Sequence, residues 1–243
     1  MIFATAAEYN PFHNGHAYHI SQIKKLGADG IIAVMSGSFV QRGEPAVMSK
    51  FERAKCAVRN GVDLVLELPV SFSVGSAERF AAGCVRIAEA TGGVSKFCFG
   101  SESANVPTFE KTVETLETPE FSSVLKEELS EGKTFAAARA NALKELGAFA
   151  PEKPNDILAV EYIKELKRLK SKIVPVAIIT EITALFCLSV IFPYDLIDSC
   201  VEELTKANRA KAQIHRSIQN GVLLAQMVHI LLLLCFRNNP FTW

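Results

Sequence analysis

The feature that most constrains this chain is a short apolar run, Ile2 to Ala7, followed by Pro11 and then by the tetrapeptide His13-Asn14-Gly15-His16. The run reads as a buried parallel strand, and Pro11 stops regular structure behind it. Asn14 is expected to cap a helix running through Ile20 and Ile23 to Leu26, with Gly27 as its C-terminal stop. Both histidines then flank a helix N-terminus. Unpaired backbone N–H groups and the positive end of the helix dipole attract phosphate there, and Gly15 lets a phosphate come close to the backbone.

Imidazole N–H groups beside that phosphate stabilise charge developing on it under attack, with no covalent enzyme intermediate needed. The H-x-G-H form is an adenylyl-transfer signature, and its position at the first strand-to-helix junction is what that chemistry requires. Two plainer readings compete with it. His13, His16 and His19 recur at helical spacing and suit a metal, but only Glu8 stands beside them, so no metal ligands are assigned. The same residues also fit an ordinary polar turn.

The 243 residues allow one large domain or two small ones, and 49% hydrophobic content is ample for a core. A formal net charge of +0 gives no global basic signature, so any nucleic-acid contact must come from a local patch. Cys56, Cys84, Cys98, Cys187, Cys200 and Cys235 form no C-x-x-C pair and fall largely at apolar positions. Reduced core thiols of a cytoplasmic protein are expected. Ile2 to Ala7 has no basic segment ahead of it and is too short for a signal peptide.

Strand-like runs recur at Gly30 to Met35, Asp63 to Leu68 and Lys96 to Phe99, all apolar enough to be covered on both faces. Between them lie helices. Ser49 and Glu52 form a possible capping box for one that ends at Asn60-Gly61, and Ser76 to Thr91 is the next, closed by Gly92-Gly93. This alternation predicts an α/β fold with a doubly wound, parallel, Rossmann-like sheet. Beyond Glu102 the pattern turns helical. Thr118-Pro119 starts a helix with a Phe121, Leu125, Leu129 stripe before Gly132. Another runs from about Thr134 to Leu146. Asn155 is suited to cap a further helix, in which Leu158, Tyr162, Leu166 and Leu169 share a face, and Ile173 to Ile179 returns to the sheet. The predicted organisation is a nucleotide-binding domain over residues 1–180, with a helical insertion at about 105–150, and a helical C-terminal region over 181–243.

Ligands of such sheets bind at the carboxyl ends of the strands. After the second strand, Ser36 to Pro45 holds Ser36, Gly37, Ser38 and Arg42, with Lys50 and Arg53 following. This density of phosphate donors favours a loop for phosphate or RNA backbone over a solvated turn. Gly100-Ser101-Glu102 follows the fourth strand, where a glycine lets a nucleoside lie against the backbone, although turn chemistry explains that glycine nearly as well. N-capping alone accounts for Asn155.

Taken together, Glu8-Tyr9-Asn10-Pro11-Phe12-His13-Asn14-Gly15-His16, the run from Met35 to Ala46, Asn60 to Val65, Cys98 to Ser103 and Pro154 to Leu158 resemble the bacterial tRNA(Met) cytidine acetate ligases in order and spacing. The likeness extends from Met1 to about Val176. It implies an enzyme that activates acetate with ATP and then acetylates the wobble cytidine of elongator methionine tRNA, with Mg2+ accompanying the pyrophosphate. On that likeness ATP lies along Ala6, Ala7, the motif from Glu8 to His16, Ala17, Tyr18 and His19, and also touches Gly100 and Asn155. His13 and His16 are the implied catalytic residues.

After Val176 the chain departs from the family, whose members continue with an arginine-containing strand, a Gly-x-x-Tyr-His-Asp-like segment and a Ser-x-x-x-Ile-Arg motif. Apolar stretches stand there instead, from Ala184 to Phe192 and from Val222 to Phe236. The second is about 15 residues long, where a membrane span needs about 20, so a buried or interfacial helix is expected and no membrane partner. ATP binding is expected to survive this departure better than acetylation. Two other functions stay open on the residues alone: adenylylation of a small phosphorylated metabolite, and nucleotide or RNA binding without turnover.

Overall fold

The computed structural model of the protein describes residues 1–180. The expected helical region over 181–243, with its two apolar stretches, lies outside the described residues.

Five parallel strands form one sheet: β1 (Ile2–Ala7), β2 (Gly30–Ser36), β3 (Leu64–Leu68), β4 (Val94–Ser101) and β5 (Val174–Ile179), in the spatial order β3-β2-β1-β4-β5. The helices are α1 (Asn14–Lys25), α2 (Lys50–Arg59), α3 (Val70–Ser73), α4 (Ala77–Ala90), α5 (Val106–Leu116), α6 (Pro119–Ser130), α7 (Phe135–Glu145) and α8 (Pro154–Arg168). This is the doubly wound, Rossmann-like architecture that the alternation of apolar runs and capped helices predicts.

The side-chain alternation of the central strands builds two apolar layers. Phe3, Ile31, Ala33 and Met35 pack with Ile20, Ile23 and Ala57 of α1 and α2. Ala4, Ile32, Val34, Phe97 and Phe99 pack on the opposite face with Phe80, Cys84 and Val85 of α4 and with Val160, Tyr162 and Ile163 of α8. Full burial of each large apolar side chain contributes roughly 1.5–3 kcal/mol, which makes β1 and β2 the stiff centre of the molecule.

Several local expectations need correction. Asn14 does not cap α1; His13 does. The α8 cap is Lys153 rather than Asn155. Ser49 accepts from the Glu52 N–H, but the Glu52 carboxylate pairs with Lys55, so only half of a capping box forms. β3 is not covered on both faces, because it is an edge strand paired only with β2, and Leu64 is exposed. Leu129 drops out of the α6 stripe and is exposed, while Phe121 packs with Ala142 and Leu143 of α7. The short α3 has no side-chain cap, whereas Asn105 caps α5 by accepting the Thr108 N–H.

Cys84 and Cys98 are buried and Cys56 half-buried, all as free thiols. Among the described residues no helix is long and apolar enough to cross a membrane.

Candidate active site at the strand-order reversal

The strand order reverses between β1 and β4, and the carboxyl ends of those strands splay to leave the crevice in which open α/β sheets bind ligands. A cavity of about 450 Å³ lies there. Its walls come from the ends of β1, β4 and β5, the first turns of α1 and α8, and Gln41 and Arg42 from the β2–α2 loop.

His13 and His16 stand at its α1 side. The His13 Nδ1 accepts the Gly15 N–H at 3.1 Å, and the His16 Nδ1 accepts the His13 N–H at 3.2 Å, so two imidazoles make a reciprocal helix cap. A backbone N–H can only donate, so both Nδ1 atoms are unprotonated and the proton of each neutral ring sits on Nε2. The rings stack with centroids 3.7 Å apart. Tyr9 and Phe12 brace His16 from the other side, at 4.9 and 5.5 Å between centroids. Burial lowers the pKa of all three histidines, His16 to about 3 and His19 to about 4; neighbouring His13 and His19 push His16 down further. The site therefore offers neutral N–H donors at pH 7.

Arg53 braces the β2–α2 loop beside the cavity. It is fully buried, and its guanidinium donates to the carbonyl oxygens of Met48, Glu8 and Gly37, tying the end of β1 to both ends of the β2–α2 loop. The Glu8 carboxylate accepts the Gln41 N–H at 2.6 Å, and the Asn10 amide oxygen accepts the Val47 N–H at 2.8 Å. Thr5 and His19 are joined at 3.1 Å, which fixes α1 on β1.

The opposite wall is a reciprocal clamp between the end of β4 and the start of α8. The Glu102 carboxylate accepts the backbone N–H groups of Asn155 and Asp156 and the Asn155 side-chain amide. In return, Asp156 accepts from the Ser101 hydroxyl and from the N–H groups of Glu102 and Ser103. With its Nδ2 on Glu102, Asn155 keeps its amide oxygen for other donors. Gly100 passes so close to Thr180 that a Cβ there would lie 2.6 Å from the threonine methyl.

Of the nucleotide residues expected from the sequence, Ala6, Ala7, Glu8, Tyr9, His13, Gly15, His16, Tyr18, His19, Gly100 and Asn155 line this cavity. Asn10, Pro11, Phe12, Asn14 and Ala17 do not. Of the phosphate donors, Arg42 reaches the cavity. Arg53 donates to three backbone carbonyls, Lys50 is paired with Glu67, the Ser36 hydroxyl is buried without a hydrogen-bond partner, and Gly37 is packed beside the Glu67 carboxylate. None of these four lines the cavity, and contact with phosphate or tRNA at them remains a proposal. Among the described residues no cluster of three or more His, Cys, Asp or Glu side chains suits a metal ion.

A family model described as HIGH Nucleotidyl Transferase matches residues 1–183. The chain belongs to this family. Within it, the chain is similar to the tRNA(Met) cytidine acetate ligase of Acetivibrio thermocellus, 48% identical over 186 residues that make up 73% of this chain and 45% of the relative. The corresponding ligase of Clostridium kluyveri is 48% identical over 73% of this chain and 47% of its own length. Among solved structures, Thermotoga maritima TmcAL bound with alpha-thio ATP superposes with a TM-score of 0.71 at 43% identity, covering 74% of this chain and 46% of that one. The chain thus spans just under half the length of the relatives it matches.

The sequence motif locates the α1 side of the cavity but not its far side. Gln41, Phe80, Phe99, Leu158 and Tyr162 also line the cavity, and they sit in sequence as ordinary loop and core positions. Only the i, i+4 spacing of Leu158 and Tyr162 hints that they share a face.

Proposed function

We propose that this chain is the nucleotide-activating part of an ATP-dependent ligase that forms acetyl-adenylate and passes the acetyl group to the wobble cytidine of elongator tRNA(Met). The observation that carries this reading is the pair of neutral, stacked histidines at the α1 N-terminus, opening into the cavity at the strand-order reversal. The 48% identity with named acetate ligases over the aligned 73% of the chain supports the choice of acid and acceptor.

In the first step an acetate oxygen attacks the α-phosphorus of ATP, and the bond from that phosphorus to the bridging oxygen breaks, releasing pyrophosphate. The Nε2–H groups of His13 and His16, with the Gly15 backbone, stabilise the charge that grows on the α-phosphate. Arg42 takes the outer phosphates, while Asn155 and the bare backbone of Gly100 receive the nucleoside. Mg2+ travels with the phosphates, as it does where few protein carboxylates are offered. In the second step the exocyclic amine of cytidine attacks the acyl carbon, the bond from that carbon to the AMP oxygen breaks, and the amine loses a proton to solvent. Catalysis is therefore positioning and charge stabilisation. Residues 1–180 form the catalytic domain on this reading. Acetyl transfer is the step expected to be weaker, since the family's later arginine-containing motifs are replaced in this chain.

Exchange of labelled pyrophosphate into ATP, with and without acetate and total tRNA, tests the proposal. Acetate-dependent exchange, with acetylcytidine appearing in tRNA, supports it. Exchange driven by a phosphorylated metabolite instead of acetate overturns it in favour of nucleotidyl transfer, and ATP binding without exchange under any substrate reduces the protein to a binder.

A further inference from the structure

The cavity has two chemically distinct sides, set by strand alternation at its edge. Thr5, Ala7 and Gly100 point toward the α1 side, where the histidines and Thr180 stand. Ala6 and Phe99 point the other way, toward α4 and α8, and meet Phe80, Leu158 and Tyr162. Among the described residues this second side is mainly apolar and aromatic, and the nearest charge acting on Tyr162 is the Glu8 carboxylate, which accepts the Gln41 N–H.

Its walls are firmly held. Phe80 and Phe99 are each 3% exposed and Tyr162 4%. The Tyr162 ring lies 5.0 Å from that of Phe97 and 5.5 Å from that of Phe99. One turn after Phe80, Gly83 lets α4 press against β3 and α3, for a Cβ there would fall 2.7 Å from Leu68 and Phe72. The Phe80 ring has little room to withdraw. Burial pushes the Tyr162 hydroxyl far above its ordinary pKa, so it remains a donor.

We propose that this apolar chamber is the acyl subsite, in which Phe80, Phe99 and Leu158 enclose the hydrocarbon end of a short carboxylic acid and the Tyr162 hydroxyl binds one of its oxygens. The proposal rests on the acid-adenylating reading above and deepens it by naming the residues that limit acid length. One phenolic donor inside an apolar wall matches a group with a small oil-like tail and a polar end. The Asn155 amide oxygen and the bare Gly100 backbone, in the clamp between the end of β4 and the start of α8, suit the nucleobase better. Because the aromatic walls are packed, added methylenes meet steric cost instead of gaining burial.

The test is binding of acetyl- and butyryl-sulfamoyl adenosine, two stable acyl-adenylate mimics, and of ATP to the 243-residue chain by calorimetry. The parent should prefer the acetyl mimic by about tenfold or more, since a single methylene is worth roughly 10–200-fold in a closed pocket. Phe80→Leu and Leu158→Ala should bring the ratio to near unity while ATP affinity stays within about threefold. Tyr162→Phe should weaken both mimics by about tenfold, as expected for loss of one hydrogen bond to a polar ligand oxygen, again sparing ATP. Leu158 is only half-buried, so its variant stays informative should Phe80→Leu fail to fold. An unchanged acetyl preference in the folded variants overturns the proposal, as does equal binding of both mimics by the parent. ATP affinity falling together with that of the mimics would make the chamber the nucleobase pocket and overturn it too. If ATP itself fails to bind the parent, the acid-adenylating reading falls and takes this one with it.

Discussion

The imidazoles of His13 and His16 stack 3.7 Å apart, while each Nδ1 accepts a backbone N–H of the turn that separates them. One pair of rings thus closes the α1 N-terminus and fixes where both Nε2–H donors lie. Capping and catalysis are separable by substitution. His13→Asn keeps a good N-cap acceptor and should leave thermal stability nearly unchanged, yet reduce adenylate formation by roughly 10²- to 10³-fold. His16→Ala removes both roles and should also cost about 1 kcal/mol of stability. Thermal melts beside exchange rates check the difference.

The half-buried His16 and His19 make the fold sensitive to acid. His16 titrates at about 3 and His19 at about 4 in the folded protein, against an unfolded value near 6.5, so the unfolded chain takes up protons first as pH falls. Stability is full above pH 6.5 and is lost progressively below it, down to those folded values. Each histidine contributes a slope of at most about 1.4 kcal/mol per pH unit, less here because both border an open cavity. Urea midpoints at pH 7, 5.5 and 4.5 should fall, and His19→Gln should flatten the trend.

Arg42 and Arg53 lie in the same stretch of sequence but should behave oppositely. Arg42 is exposed at the cavity rim, so Arg42→Ala should weaken ATP and tRNA binding and flatten their salt dependence with little effect on stability. Arg53→Ala strands three backbone carbonyls in the interior and should destabilise by about 3 kcal/mol or more. Arg53→Lys should not rescue it, because an ammonium lacks the fork that reaches separate carbonyls. Denaturant unfolding of the three variants tests the contrast.

The sheet was legible because β1, β2 and the Phe97 to Phe99 centre of β4 are apolar runs followed by proline or glycine, and the strand-order reversal then located the cavity. The α1 wall of the cavity was legible because a helix N-terminus and its histidines are neighbours in sequence. The tertiary use of polar groups was not. Nothing local distinguishes Arg53, folded inward onto carbonyls, from Arg42, facing outward. Asn155 looked like a cap, but the cap donors of α8 are satisfied by Glu102, far away in the chain. Phe80 and Tyr162 belong to core-facing helical stripes, and only the crossing of α4 and α8 at the end of β1 makes them walls of a cavity.

The most direct test of the central claim is acetate-dependent exchange of labelled pyrophosphate into ATP, measured with ATP affinity for the parent chain and for His16→Ala. On the proposed reading the neutral Nε2–H of His16 acts where charge grows on the α-phosphate, so the variant should lose roughly 10²- to 10³-fold in exchange while binding ATP within a few-fold of the parent. Exchange that persists at the parental rate in folded His16→Ala would contradict the account.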